Sequence, residues 1–112
     1  MPDQLERRSF ATVDELWDWL ATHHESHPGL WVVLEKVTST KQSIGFHDLL
    51  EAGIAFGWSE STRRANNETS YLQKFTPRKT RGTASARNTA IADRLEAAGR
   101  MTAAGRAALG RK

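Results

Sequence analysis

The junction Phe56-Gly57-Trp58, where a helical pattern of apolar residues stops, constrains the fold more than any other stretch. The pattern upstream has the spacing of one buried helix face and consists of Phe46, Leu49, Leu50 and Ile54. Gly53 lies on the same face, and a glycine inside a helix costs about 1 kcal/mol relative to alanine. This position therefore indicates that another backbone packs closely there. Gly57 suits a left-handed helix C-cap, so we expect the helix to end at this junction.

The sequence before this helix predicts another helix and a strand. Thr12-Val13-Asp14-Glu15 is typical of a capping box. The buried face that follows is predicted to consist of Val13, Leu16, Trp17 and Leu20, with Trp19 on a flank. Pro28-Gly29 cannot continue a helix, so we expect it to stop near His24. Residues 30–37 are short and rich in β-branched residues, and their first five are apolar, which predicts a strand covered on both sides.

The sequence after the junction predicts a hairpin and two helices. Residues 58–65 and 70–76 are expected to form strands joined by a turn at 66–69. On the second strand, one face would carry Tyr71, Gln73 and Phe75, and the other Leu72 and Lys74. Ser85 is a plausible cap for a helix closed by Gly99. Thr102 could cap a last short helix, whose small side chains predict little burial.

The predicted fold class is α+β, with a small antiparallel sheet of about three strands and three to four helices packed against it. The polar residues 1–9 are predicted to be disordered, and residues 10–112 to form a single domain. The 112 residues include no cysteine, which excludes disulfides, thiolate catalysis and cysteine-ligated zinc. The sequence shows neither a membrane span nor an apolar signal segment, so we expect a cytoplasmic protein.

Charge is distributed unevenly along the chain. Residues 1–62 hold 4 lysines and arginines against 10 acidic residues, whereas residues 63–112 hold 12 against 3. A basic half is typical of proteins that bind anions or a nucleic-acid backbone. The alternative is that the two halves fold against each other and partly neutralise their charges.

The basic half contains a candidate site for a phosphate-bearing ligand, with no cofactor implied. Guanidinium groups offer planar, bidentate donors to phosphate or carboxylate, and a tryptophan floor could stack a base. The predicted ligand-binding residues are Trp58, Arg63, Arg64, Arg78, Lys79, Arg81 and Arg87. The alternative is that Trp58 fills the core and the arginines are solvated or paired with carboxylates.

Three other functions are weighed against anion binding. Glu60, with neighbouring serines and His47, could serve a small-molecule enzyme, but the spacing matches no known triad or nucleophile elbow. His23 and His27 are four residues apart and could share a helix face, as metal ligands do, yet no carboxylate arrangement completes a set, so no metal is predicted. An exposed Trp19 or Trp31 would favour a protein–protein interaction domain.

Several short motifs resemble the bacterial family named "bacteriocin-protection, YdeI or OmpD-associated". The similarity runs collinearly through Phe10, Trp17-Asp18-Trp19-Leu20, Gly29-Leu30-Trp31, Lys36, Phe56-Gly57-Trp58, Thr76-Pro77-Arg78-Lys79, Ser85, Asn88 and residues 99–105. The chain departs from the family at Ser59-Glu60 and at Ala84, where relatives carry a tryptophan. The resemblance implies a small, non-enzymatic binding module linked to stress or bacteriocin protection, with no catalytic residues to carry over.

Overall fold

A computed structural model describes residues 5–78 and 85–111 of the chain. Within these ranges the elements, in chain order, are β1 (Glu6–Ser9), α1 (Val13–His23), β2 (Leu30–Glu35), α2 (Phe46–Phe56), β3 (Trp58–Ala65), β4 (Ser70–Pro77), α3 (Ala86–Ala97) and α4 (Ala103–Leu109). The predicted α+β class is confirmed. The helix and hairpin boundaries lie within about one residue of those predicted from caps, glycines and turn residues.

The strands form one sheet in the order β1-β2-β4-β3. The pairs β2–β4 and β4–β3 are antiparallel, as expected, but β1 pairs parallel to β2, so the sheet is mixed and has four strands instead of about three. The prediction left residues 1–9 outside the folded domain, whereas Glu6–Ser9 pairs residue for residue with Leu30–Val33. All four β1 side chains are exposed. The strand therefore forms through backbone hydrogen bonds and shows no hydrophobic period that sequence reasoning could detect.

The capping residues set the helix boundaries as predicted. The Thr12 hydroxyl accepts from the Glu15 amide at 3.2 Å, and the Glu15 carboxylate accepts from the Ala11 amide at 3.0 Å. Gly57 ends α2 with φ of 81°, a left-handed conformation that glycine adopts without steric cost. The chain can therefore turn directly from α2 into β3.

The two faces of the sheet are buried by different parts of the protein. One face carries Leu30, Val32, Leu34 and Phe75, which belong to a single core cluster with residues from all four described helices. Trp31 and Leu72 point the other way and are buried outside that cluster. We call this second side, defined by Arg7, Trp31, Val33, Arg64, Leu72 and Lys74, the outer face. β2 was expected to be covered on both sides, and its residues are buried on the helix-packed side and, at Trp31, on the outer face as well. The described helices all pack on one side of the sheet.

Close backbone contacts fix the helices on the sheet and on each other. A Cβ on Gly53 would lie 2.8 Å from the Trp58 carbonyl oxygen, which confirms the predicted close approach at this glycine. Gly105 likewise brings α4 against the carbonyl oxygens of α2, and Leu109 is buried. The alanines of α4 are partly buried or exposed, in line with the expectation that its small side chains bury little, but Gly105 and Leu109 are buried. Its small residues permit a close helix–helix contact that compensates for their limited apolar area.

Candidate functional site: the outer face of the sheet

Trp58, the predicted floor of the ligand site, lies in the core. It is 1% exposed, and its indole N–H donates to the His24 carbonyl at 3.2 Å. Its ring lies 5.1 Å from the Phe75 ring, centroid to centroid, and 5.7 Å from the Trp19 ring. A ligand could stack on Trp58 only if the core opened.

Arg63 and Arg64 are adjacent in β3 but lie on opposite faces of the sheet. The Arg63 guanidinium lies on the helix-packed side, 4.4 Å from the Tyr71 ring centroid and 5.8 Å from that of Phe46. The Arg64 guanidinium lies on the outer face, 4.6 Å from the Trp31 ring centroid. Both contacts are within cation–π distance. The two arginines therefore do not contribute to one site.

A β-bulge determines which of the two arginines faces outward. The register of β3 against β4 shifts by one residue between Glu60 and Arg63. The side-chain amide of Gln73, which is 2% exposed, donates to the Ser61 and Thr62 carbonyls at 3.2 and 3.3 Å. These bonds satisfy the backbone groups that the bulge removes from the ladder. Beyond the bulge, side chains occupy the face opposite to the one that simple alternation would give.

The remaining predicted basic residues are dispersed. Arg78 follows β4 and is half-buried, and its backbone N–H donates to the Gly57 carbonyl at 2.9 Å. Arg87, in the first turn of α3, donates through Nε to the Asn88 side chain at 3.2 Å. The predictions for Lys79 and Arg81 fall outside the described residues.

Glu60, the weak catalytic candidate, has a cationic neighbour. Its side chain is 17% exposed, and a carboxylate oxygen lies 3.6 Å from Arg87 Nη2. An unpaired Glu60 in an open pocket would favour catalysis, whereas a paired Glu60 favours a structural role. The geometry matches the paired arrangement, with Arg87 as the partner.

The outer face brings together basic residues that are far apart in the sequence. Arg7 in β1 and Lys74 in β4 lie directly opposite Trp31 of β2, one on each side. Lys74 Nζ is 5.8 Å from the Trp31 ring centroid, and Arg64 reaches the same ring from β3. Arg7 extends across the face and donates to the Asn66 side chain at 3.3 Å. Three cations from three strands therefore surround one indole, and we call these four side chains the basic cluster.

Arginine and lysine side chains provide hydrogen-bond donors and positive charge of the kind that bind anions. Among the described strand residues, Glu35 is the one acidic residue whose side chain lies on the outer face, and it is the last residue of β2. Its carboxylate accepts from the Ser39 hydroxyl at 2.6 Å. The sequence analysis did not bring Arg7, Trp31 and Lys74 together. The sequence does show that Trp31 and Lys74 occupy the strand positions that alternate with the core residues, so their side chains must lie on the opposite face.

A family model described as a domain of unknown function, DUF8412, matches residues 8–108. The chain belongs to this family. No curated protein and no solved structure matches it. The family match runs from the second half of β1 into α4, so it includes all the basic cluster except Arg7. The family description names no ligand or reaction, and the chemistry of this DUF8412 domain must therefore be inferred from its side chains.

His23, His24 and His27 of the DUF8412 domain pack against aromatic rings. His23 stacks on Trp19 at 4.8 Å between centroids, and His27 lies 3.4 Å from a carboxylate oxygen of Glu6. Across residues 5–78 and 85–111, no group of three or more histidine or acidic side chains is arranged to hold a metal ion. No helix in those ranges is long and apolar enough to span a bilayer.

An exposed Trp19 or Trp31 would have favoured a protein-interaction surface, but neither side chain is exposed. Trp19 is 8% exposed and Trp31 is 2% exposed, so neither forms an exposed aromatic patch. The large apolar side chain that is fully exposed in the described residues is Val37, just after β2. An isolated exposed valine is common on protein surfaces and indicates no particular partner.

Proposed function

We propose that this DUF8412 domain is a small, non-enzymatic binding module whose outer sheet face binds a phosphate-bearing anion. The observation that supports this proposal is the basic cluster, in which Arg7, Arg64 and Lys74 surround Trp31. Trp31 is buried, as Trp58 is, so in this proposal the ligand contacts the basic side chains and not a tryptophan ring.

The chemistry of the cluster suits phosphate oxygens. An arginine presents a planar fork of N–H donors that can bind two oxygens at once, and a lysine adds a compact positive charge. Stacking on Trp31 holds the Arg64 guanidinium on this face without removing its charge.

The test compares two neighbouring arginines on opposite faces. Isothermal titration calorimetry would measure binding of inorganic tripolyphosphate at low salt to the wild-type protein, Arg64→Gln and Arg63→Gln. Both arginines are exposed in β3 and stack on an aromatic ring, so the substitutions match in chemistry and expected stability cost. Arg64→Gln should weaken binding at least tenfold, because a hydrogen bond to a charged group contributes about 1.5–3 kcal/mol.

The control variant Arg63→Gln should bind as the wild type does. Equal weakening in the two variants would mean that only overall charge matters and that the outer face is not a site. An absence of tripolyphosphate binding to the wild type would contradict the proposal itself.

The resemblance to the YdeI or OmpD-associated family stays a prediction, and from it we propose a role in stress resistance or bacteriocin protection. Deleting the gene and measuring survival under envelope stress would test this role. Complementation with Arg64→Gln would show whether the outer face is involved. Full rescue by that variant would separate the stress role from anion binding.

A further inference from the structure

We propose that Asn66 is a positioning residue of the anion site, and that it holds the Arg7 guanidinium ready to contact the ligand. This inference rests on the proposed anion-binding function and adds how the site is ordered before the ligand arrives. The observations behind it are the hydrogen bonds around Asn66 and the neutral charge of its side chain.

The bond between Arg7 and Asn66 crosses the outer face. Arg7 Nη1 donates to Asn66 Oδ1 at 3.3 Å, although the two residues are 59 positions apart in the sequence. Arg7 lies in β1 and Asn66 follows directly after β3, and these strands form opposite edges of the sheet. The exposed Arg7 side chain is therefore directed over the outer face instead of away from it.

The turn between β3 and β4 fixes the orientation of the Asn66 side chain. Ser70, which is 1% exposed, donates its single hydroxyl proton to Asn67 Oδ1 at 2.8 Å. The same hydroxyl can then only accept from Asn66, whose Nδ2 lies 2.8 Å away. Asn67 Oδ1 also accepts from the Thr69 amide at 2.9 Å, which ties the turn together. With Nδ2 engaged by Ser70, the Asn66 oxygen must face Arg7.

A neutral acceptor orders Arg7 without neutralising it. The guanidinium has five N–H donors, and the bond to Asn66 uses one of them. The neighbouring Arg8 lies near the Trp19 ring on the other face and pairs with the Glu6 carboxylate, so its charge is compensated. Phosphate oxygens form stronger bonds with a guanidinium than a neutral amide does. An anion can therefore bind to Arg7 without bearing the entropic cost of ordering its side chain.

A double-mutant cycle would test this role. Isothermal titration calorimetry would measure binding of inorganic tripolyphosphate at low salt to the wild type, Asn66→Ala, Arg7→Gln and the double variant. Asn66→Ala should weaken binding about fivefold, because the ligand must then order the arginine itself. Arg7→Gln should weaken it at least tenfold, since a charged donor is lost. The double variant should bind no more weakly than Arg7→Gln, because Asn66 acts through Arg7.

Two further variants separate positioning from a merely structural role. Asn66→Asp keeps the size of the side chain and can accept from both Arg7 and the Ser70 hydroxyl, but its charge neutralises the guanidinium. It should therefore bind tripolyphosphate at least as weakly as Asn66→Ala, and binding as tight as in the wild type would overturn the inference. If Asn66→Ala does not fold, Asn66→Asp still provides the test. The matched control for Arg7→Gln is Arg8→Gln, which should bind as the wild type does because Arg8 lies on the opposite face.

The outcomes distinguish this inference from the function on which it rests. Binding that is weakened by Arg64→Gln but unchanged in Asn66→Ala would overturn the role of Asn66 and leave the anion site intact. Additive losses in the double variant would also overturn it, since Asn66 would then act independently of Arg7. If the wild-type protein does not bind tripolyphosphate, both proposals fail together.

Discussion

Replacing Gly105 with alanine should destabilise the protein, although the same change usually stabilises a helix. A Cβ at Gly105 would lie 2.6 Å from the Ile54 carbonyl oxygen and even closer to that of Ala55. Both obstacles are backbone atoms of α2, so they cannot rotate away as a flexible side chain would. The two helices would have to separate. The Thr102 hydroxyl, which donates to the same Ala55 carbonyl, would then lose its acceptor.

The net effect can be worked from three contributions. Overpacking a well-packed contact costs about 1–3 kcal/mol. The lost hydrogen bond costs about 1 kcal/mol, and the better helix propensity of alanine returns about 1 kcal/mol. Gly105→Ala should therefore lower the free energy of unfolding by about 2 kcal/mol, or the melting temperature by about 8 °C at roughly 4 °C per kcal/mol. Urea unfolding followed by circular dichroism would measure the change.

The matched control is Ala107→Gly in the same helix. Ala107 is exposed, so this substitution should cost only the propensity difference of about 1 kcal/mol. Adding a methyl group at position 105 should thus cost more than removing one at position 107. If Gly105→Ala were as stable as the wild type, or more stable, the close docking of α4 on α2 would be wrong.

Two further stability predictions concern Gln73 and Glu96. Gln73→Met keeps the volume of the side chain but leaves the Ser61 and Thr62 carbonyls without their donor, so chemical denaturation should show a loss of about 2 kcal/mol. Arg106, which donates to the Glu96 carboxylate at 3.0 Å, lowers the pKa of Glu96 in the folded state. The stabilisation from Glu96 is therefore present above the ordinary glutamate pKa of about 4.3 and is lost as the pH falls through the lowered folded-state value. Between about pH 6 and pH 3 the urea midpoint of wild type should fall further than that of Glu96→Gln, and equal falls would contradict this assignment.

Much of the fold could be predicted because local chemistry determines it. Thr12 and Ser85 accept from the backbone amides they were expected to cap, and Gly57 adopts the left-handed conformation expected at the end of α2. These signals act within a few residues of sequence. β1 could not be predicted, because its four exposed side chains have no period and the strand depends on β2, more than twenty residues away.

The sequence did not show which side chains cover the outer face of β2. Residues 30–34 are apolar on both faces, a pattern that normally predicts cover on both sides. Trp31 is buried as that pattern predicts, and the Arg64 and Lys74 side chains contribute to its cover. The aliphatic parts of such side chains can shield apolar surface while their charged ends remain in water. A sequence pattern records that Trp31 is apolar, but it does not record that basic side chains cover it.

The bulge in β3 explains why Arg63 and Arg64, which the prediction assigned to one site, lie on opposite faces of the sheet. Trp58 and Glu60 point to the helix-packed side, so regular alternation would place Arg63 on the outer face and Arg64 among the helices. The extra residue between Glu60 and Arg63 reverses that assignment, and Gln73 holds the reversal in place from the neighbouring strand. Arg64 can reach the indole of Trp31 because of this one-residue shift. The composition of the basic cluster thus depends on a backbone irregularity whose stabilising residue lies on another strand, and no pattern within β3 alone could reveal it.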